Sequence, residues 1–191
     1  MNKNNEELNR LAAVIAKITE IFYWVATGLL IVSLIVFCLN DAFLHYFMDL
    51  GDSEFAFSGY SVQPFSVDGR LIPAIFIPTL IIVAITGGLM AMVFRNIYLI
   101  FKTTAGETKF SKGKTPFQPS NVRMLREIGI FVLSIPAVEY IGDVIIRILA
   151  GPDLVESSIS VSGIVFGIAL LCLSQFFAYG VQLQSDADGL L

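Results

Sequence analysis

Glu139, Asp143 and Arg147 stand four residues apart inside an otherwise apolar stretch, EIGIFVLSIPAVEYIGDVIIRILA, from Glu127 to Ala150. In a helix this spacing puts them along one face, drifting by about 40° per step. Carboxyl groups so placed can take up a proton, hold a cation or pair with a base. Asp143 precedes Arg147 in the favourable order of acid four residues before base, so these two can neutralise each other. Glu139, deeper in the stretch, has no such neighbour, and a charge at mid-bilayer costs about 3 kcal/mol or more. Three readings follow. A protonated Glu139 hydrogen-bonds another helix through Gln175, Ser174 or a serine of the first apolar run; Glu139 and Asp143 line a wet cavity for a proton, a cation or a basic ligand; or the stripe meets a partner's helix.

No other constellation suggests chemistry. His45 is the only histidine, and G-x-S-x-G, H-E-x-x-H and C-x-x-C are absent from the sequence. Gly113-Lys114-Thr115 matches the end of a phosphate-binding loop, but Thr108 stands where its first glycine is required. Asp186-Ala-Asp188-Gly189 opens like a calcium loop without the ligands that should follow. Cys38 and Cys172 fall at different depths in their runs, which argues against a disulfide. The expectation is a non-enzymatic protein with no metal, no cofactor and no direct contact with nucleic acid.

The elements that must carry this stripe are apolar. Of the 191 residues, 55% are hydrophobic and 15% charged, against roughly 45–50% and 25% in soluble domains. Four runs, 18–39, 71–94, 128–150 and 159–181, each approach the ~20 residues that cross a bilayer as a helix. The sequence predicts an all-α integral membrane protein of one domain, with outer loops 40–70 and 151–158 and an inner loop 95–127. The first run is too long for a signal peptide and no small-residue cleavage site follows, so it reads as a retained helix. Ten of the 12 basic residues precede the first run or lie in the inner loop, leaving only Arg70 and Arg147 opposite. The positive-inside rule then puts both termini and the inner loop in the cytoplasm.

Ahead of the first run, Leu8, Leu11, Val14, Ile15 and Ile18 keep a helical rhythm, either as an amphipathic helix on the inner leaflet or as an extension of the span. In the first outer loop, Ser58-Gly59 is flanked by alternating residues, which predicts a small extracytoplasmic β-hairpin pairing Phe57 with Tyr60 and Phe55 with Val62. Pro78 should bend the second span or free a carbonyl. Gly87 and Gly88, and Gly163 and Gly167 in a G-x-x-x-G, offer small faces for packing within the bundle or between copies in a homo-oligomer. The inner loop reads as irregular. Its Lys109, Lys112 and Lys114, with Phe117, Asn121 and Arg126, are candidate contacts for anionic lipid or a cytoplasmic partner. Ser120 or Asn121 can cap the third helix.

Gly113, Pro116-Phe117, Asn121-Val122, Leu125-Arg126 and Ile128-Gly129 form one recurring set. Phe176 or Phe177, Gly180, Leu183-Gln184, Asp186 and Asp188 form a second. In these motifs and in its four spans the chain resembles the bacterial membrane family known as domain of unknown function 2975, from which it departs by the longer insert GETKFSKGKT. The resemblance implies four spanning helices in a bacterial plasma membrane, no known enzymatic activity and frequent encoding beside a small helix-turn-helix transcriptional regulator. Two functions are therefore expected: a sensor or interaction protein coupled to such a regulator, or a small oligomeric proton- or cation-coupled transporter or channel using the buried carboxylates.

Overall fold

The computed structural model describes residues 3–39, 55–57, 60–62, 72–111, 113, 115–151, 155–157 and 161–189. Four long helices dominate: α1 (Lys3–Leu39), α2 (Pro73–Thr104), α3 (Pro119–Ala150) and α4 (Val161–Asp188). All four are long and apolar enough to cross a membrane. Three short strands, β1 (Phe55–Phe57), β2 (Tyr60–Val62) and β3 (Val155–Ser157), pair antiparallel in that order. Phe55 faces Val62, and Tyr60 faces Ser157. The third strand, from the connection between α3 and α4, has no counterpart in the sequence reading.

The helices outrun the apolar runs that predict them. The segment expected as an inner loop over 95–127 is helical as far as Thr104 and again from Pro119. Polar residues at a helix end do not stop it when nothing breaks the hydrogen-bond ladder, so the ends are set by other signals. At the end of α2, Gly106 adopts φ +83°. Its N–H donates to Thr103 O, and Glu107 N–H donates to Lys102 O, the paired bonds of a glycine-terminated helix. Pro119 opens α3, where its missing N–H costs nothing. The N–H groups of Asn121 and Val122 donate to Gln118 O. Neither Ser120 nor Asn121 is the cap, because the helix begins at Pro119, before both of them. Pro78 and Pro136 both sit inside continuous helices.

The chain groups into two compact units. One comprises Met1–Tyr23, Leu89–Ser134 and Ser162–Leu191. Its apolar interior includes Ala91, Val93, Met124, Leu125 and Ile128, and Tyr23 stacks on Phe94 at 5.7 Å between ring centroids. Here α3 and α4 cross at glycines. A Cβ on Gly167 would meet Leu133 and lie 3.2 Å from Gly129 O, and one on Gly129 would lie 2.9 Å from Leu171 and 3.2 Å from Gly167 O.

The other unit comprises Trp24–Gly88 and Ile135–Val161. Ile75, Ile82 and Ile146 form one core cluster, and Phe37, Phe76 and Leu80 another. A Cβ on Gly142 would run into Ile82, and one on Gly87 would lie 2.7 Å from Thr27 Oγ1. Gly88, grouped with Gly87 as a packing residue on sequence grounds, has open space where its Cβ would be. Adjacent helix positions point about 100° apart, so only one of the pair can face the neighbouring helix.

Candidate functional site: a buried carboxylate stripe and a folded cap

The stripe lies in the second unit, on α3. Glu139 and Asp143 are both buried. Arg147 Nε donates to Asp143 Oδ2 at 3.2 Å, while its own side chain is 43% exposed. The i to i+4 ion pair read from spacing is therefore present. Its outward end remains accessible, so Arg147 reaches Asp143 without burying its whole guanidinium.

Two carboxyl oxygens are left over. Among the described residues nothing bonds Glu139 Oε1 or Asp143 Oδ1, and Thr27 Oγ1 is equally unpartnered. Buried polar atoms are normally paired, so each exception points to strain, an ion, a proton or water. The hydroxyls of α2 do not serve them, since Thr79 donates to Ile75 O at 2.7 Å and Thr86 to Ile82 O at 3.0 Å. Depth along the helices can be read from the glycine contacts. Ile82 meets Gly142 and Thr27 meets Gly87. Counting back from Gly142, Glu139 stands level with residue 85 of α2, within about 3 Å along the axis of Thr27.

The α4 residues expected to bond Glu139, namely Ser174 and Gln175, belong to the other compact unit. Ser174 is buried but donates to Leu171 O at 2.6 Å, and Gln175 is exposed. The serine hydroxyl is satisfied by its own helix, and the glutamine points away from the chain.

The second constellation belongs to the first unit, between the end of α2 and the start of α3. It is a folded cap, not an irregular loop. Gln118, fully buried, donates through Nε2 to Thr115 O at 2.7 Å, Gly113 O at 3.0 Å and Thr103 O at 3.2 Å. Ser111 Oγ donates to Gly113 O at 2.8 Å and to Thr103 O at 3.1 Å. Thr103 and Thr108 share a hydroxyl bond at 2.9 Å. Lys102 pairs with Glu107. Thr115 Oγ1 donates to Gln184 Oε1 at 2.9 Å, tying the cap to α4. The aromatic ring of Phe117 fills the space over Gly180 and packs at 5.6 Å from the ring of Phe177.

This corrects part of the expected contact set. Asn121 is fully buried and donates to Pro116 O at 2.9 Å and Thr104 Oγ1 at 3.1 Å. Asn121 therefore supports the cap and is not part of its contact surface, whereas Phe117 packs on α4 with 40% of its surface still exposed. Lys109 and Arg126 are exposed, as is Phe110. Lys112 and Lys114 lie outside the described residues.

Sequence reasoning missed Gln118, because a single glutamine in a polar loop carries no periodic signal. It also missed Glu20, a buried carboxylate inside the first apolar run, although Lys17 three residues earlier was visible. Lys17 Nζ bonds Glu20 Oε2 at 2.9 Å and lies 5.2 Å from the centre of the Tyr98 ring. At a similar depth Glu127 accepts from Asn96 Nδ2 at 3.1 Å and from Arg123 Nε at 2.9 Å. Among the described residues, no three His, Cys, Asp or Glu side chains converge as a metal site. No family model, curated protein or solved structure matches the chain.

Proposed function

We propose that this is a multi-pass protein of the bacterial plasma membrane, N- and C-termini inside, acting as a non-enzymatic sensor or interaction protein for a cytoplasmic helix-turn-helix regulator. The observation that carries this reading is the cap: a built scaffold that leaves Lys109, Phe110 and Arg126 exposed on a fixed frame. A pre-organised surface binds without first losing loop entropy. The basic residues support the orientation, since Arg10, Lys17, Arg95, Lys102, Lys109, Arg123 and Arg126 all belong to the unit that contains the cap. The apolar side chains exposed along all four helices support insertion in a bilayer, where water does not reach them. The family resemblance carried by Pro116, Phe117, Asn121 and Gly129 supports the regulator as partner.

The test is affinity purification of the tagged chain from its native membranes, wild type beside Lys109→Glu/Arg126→Glu. These side chains are exposed, so the double variant should insert normally and lose most of the co-purified regulator. Equal recovery of the regulator with both proteins would reject the reading.

A second reading rests on the unpartnered oxygens of Glu139 and Asp143. A small proton- or cation-coupled transporter would use them as its ion site. In proteoliposomes, Glu139→Gln should then abolish ion or proton flux with assembly intact, and flux that survives the substitution would dismiss Glu139 as the site.

A further inference from the structure

In the second unit, Glu139 and Ile146 stand two turns apart on α3 and share a face with Gly142 and Asp143 between them. That face is covered by α2. Ile146 packs with Ile75 and Ile82, and Ile82 fills the place that a Cβ on Gly142 would take. Both carboxyl groups are thereby withdrawn from water, Glu139 to 8% exposure and Asp143 to 3%. A carboxylate so placed loses its hydration, and its charge persists only where an opposite charge or a donor meets it.

Opposite charge is short here. Arg147 Nε donates to Asp143 Oδ2 at 3.2 Å, which neutralises one of the two carboxylates. The helical stretches that accompany them in this unit, 24–39 of α1 and 73–88 of α2, contain no Asp, Glu, His, Lys or Arg. Tyr140, the remaining titratable group on this part of α3, is exposed. The buried hydroxyls are turned elsewhere: Thr79 and Thr86 donate to their own helix, and Thr27 Oγ1 lies against Gly87. Among the described residues, one negative charge is left over, together with two buried oxygens that no donor reaches, Glu139 Oε1 and Asp143 Oδ1.

A single proton answers both. Residues four apart on a helix hold their Cβ atoms about 5–6 Å from each other, so the two carboxyl groups are within reach, and carboxyl groups at one buried site share a proton. We propose that Glu139 and Asp143 hold one proton between them, bound to Glu139 Oε1 and donated to Asp143 Oδ1. Glu139, Asp143 and Arg147 then form one hydrogen-bonded chain of zero net charge, with every buried oxygen named above supplied. Calcium or magnesium would instead add a second positive charge and asks for about six oxygens or more, where two are open. Resting on the ion site of the transporter reading, this makes its ion a proton. The partly exposed side chain of Arg147 marks the end of the chain at which that proton exchanges with water.

The test is infrared spectroscopy of the purified chain in lipid nanodiscs at neutral pH. The wild type should show the C=O stretch of a protonated carboxylic acid, lowered by deuterium exchange. Isotopic labelling of the glutamate carboxyl carbon should lower it too, which assigns the band to a glutamate without any substitution. Glu139→Gln should abolish the band, since Asp143 is then left to Arg147 alone. Asp143→Asn should keep the band and raise its frequency, because a neutral amide accepts a weaker hydrogen bond than a carboxylate. A wild type without the band, a band that survives Glu139→Gln, or one that Asp143→Asn leaves unmoved would overturn the shared proton. So would loss of the band on adding sodium, potassium or magnesium ions at constant pH, which would make this a cation site. Flux in proteoliposomes separates the two ideas. The band without proton flux refutes the transporter and upholds the shared proton, whereas sodium flux without the band refutes the shared proton alone.

Discussion

Replacing Gly167 by leucine should destabilise the protein by about 3 kcal/mol, the upper part of the range for overpacking a close helix contact. The cause is where the extra atoms must go. A Cβ at 167 already collides with Leu133 and approaches Gly129 O to 3.2 Å, and Gly129 makes the reciprocal approach to Gly167 O. A side chain can turn away, but a backbone carbonyl held in α3 cannot, so the helices must separate. Separation opens the contact between Gly129 and Leu171 as well, and small residues at such crossings are what allows helices to pack closely in a membrane. The midpoint of thermal unfolding in detergent should fall by roughly 6–12 °C for a chain of this size. Gly88→Ala is the matched control, since open space lies there, and it should leave the midpoint nearly unchanged. A Gly167→Leu protein as stable as wild type would mean that α3 and α4 do not cross at these glycines.

Gln118→Ala should release the cap while leaving the four helices intact. One amide group donates to three carbonyls, those of Thr103, Gly113 and Thr115. Removing it leaves buried acceptors short of a donor at a cost of about 1–3 kcal/mol. Ser111 still reaches Thr103 O and Gly113 O, so part of the structure survives. The expected local consequence is cleavage by trypsin after Lys109 at an enhanced rate in the detergent-solubilised protein, because a cap that opens more often presents its backbone to the protease. If the cap is the docking surface, recovery of the helix-turn-helix regulator falls in parallel. Wild-type cleavage rates in the variant would show that Gln118 does not hold the cap closed.

The sequence by itself determined what depends on near neighbours in the chain. Apolar runs of about twenty residues define helices of spanning length, and the structure has four such helices. The Asp143–Arg147 pair was visible because both partners ride on one helix, where a spacing of four residues is also a spatial contact. Gly167 carried the signal of a packing surface for the same reason, through its spacing from Gly163.

Which residues meet across helices was not available in that form. Nothing local distinguishes Gly87, which takes Thr27, from Gly88, which takes nothing; the rotation of α2 decides it. Gly129 and Gly167 meet because the depths of α3 and α4 coincide there. That Glu139 Oε1 is without a partner among the described residues was equally invisible in the local sequence. The cap needs Gln118, Thr103, Thr115 and Gln184 to converge from separate segments. Helical periodicity is written into single segments, whereas rotation and relative depth are set by the packing of all of them together.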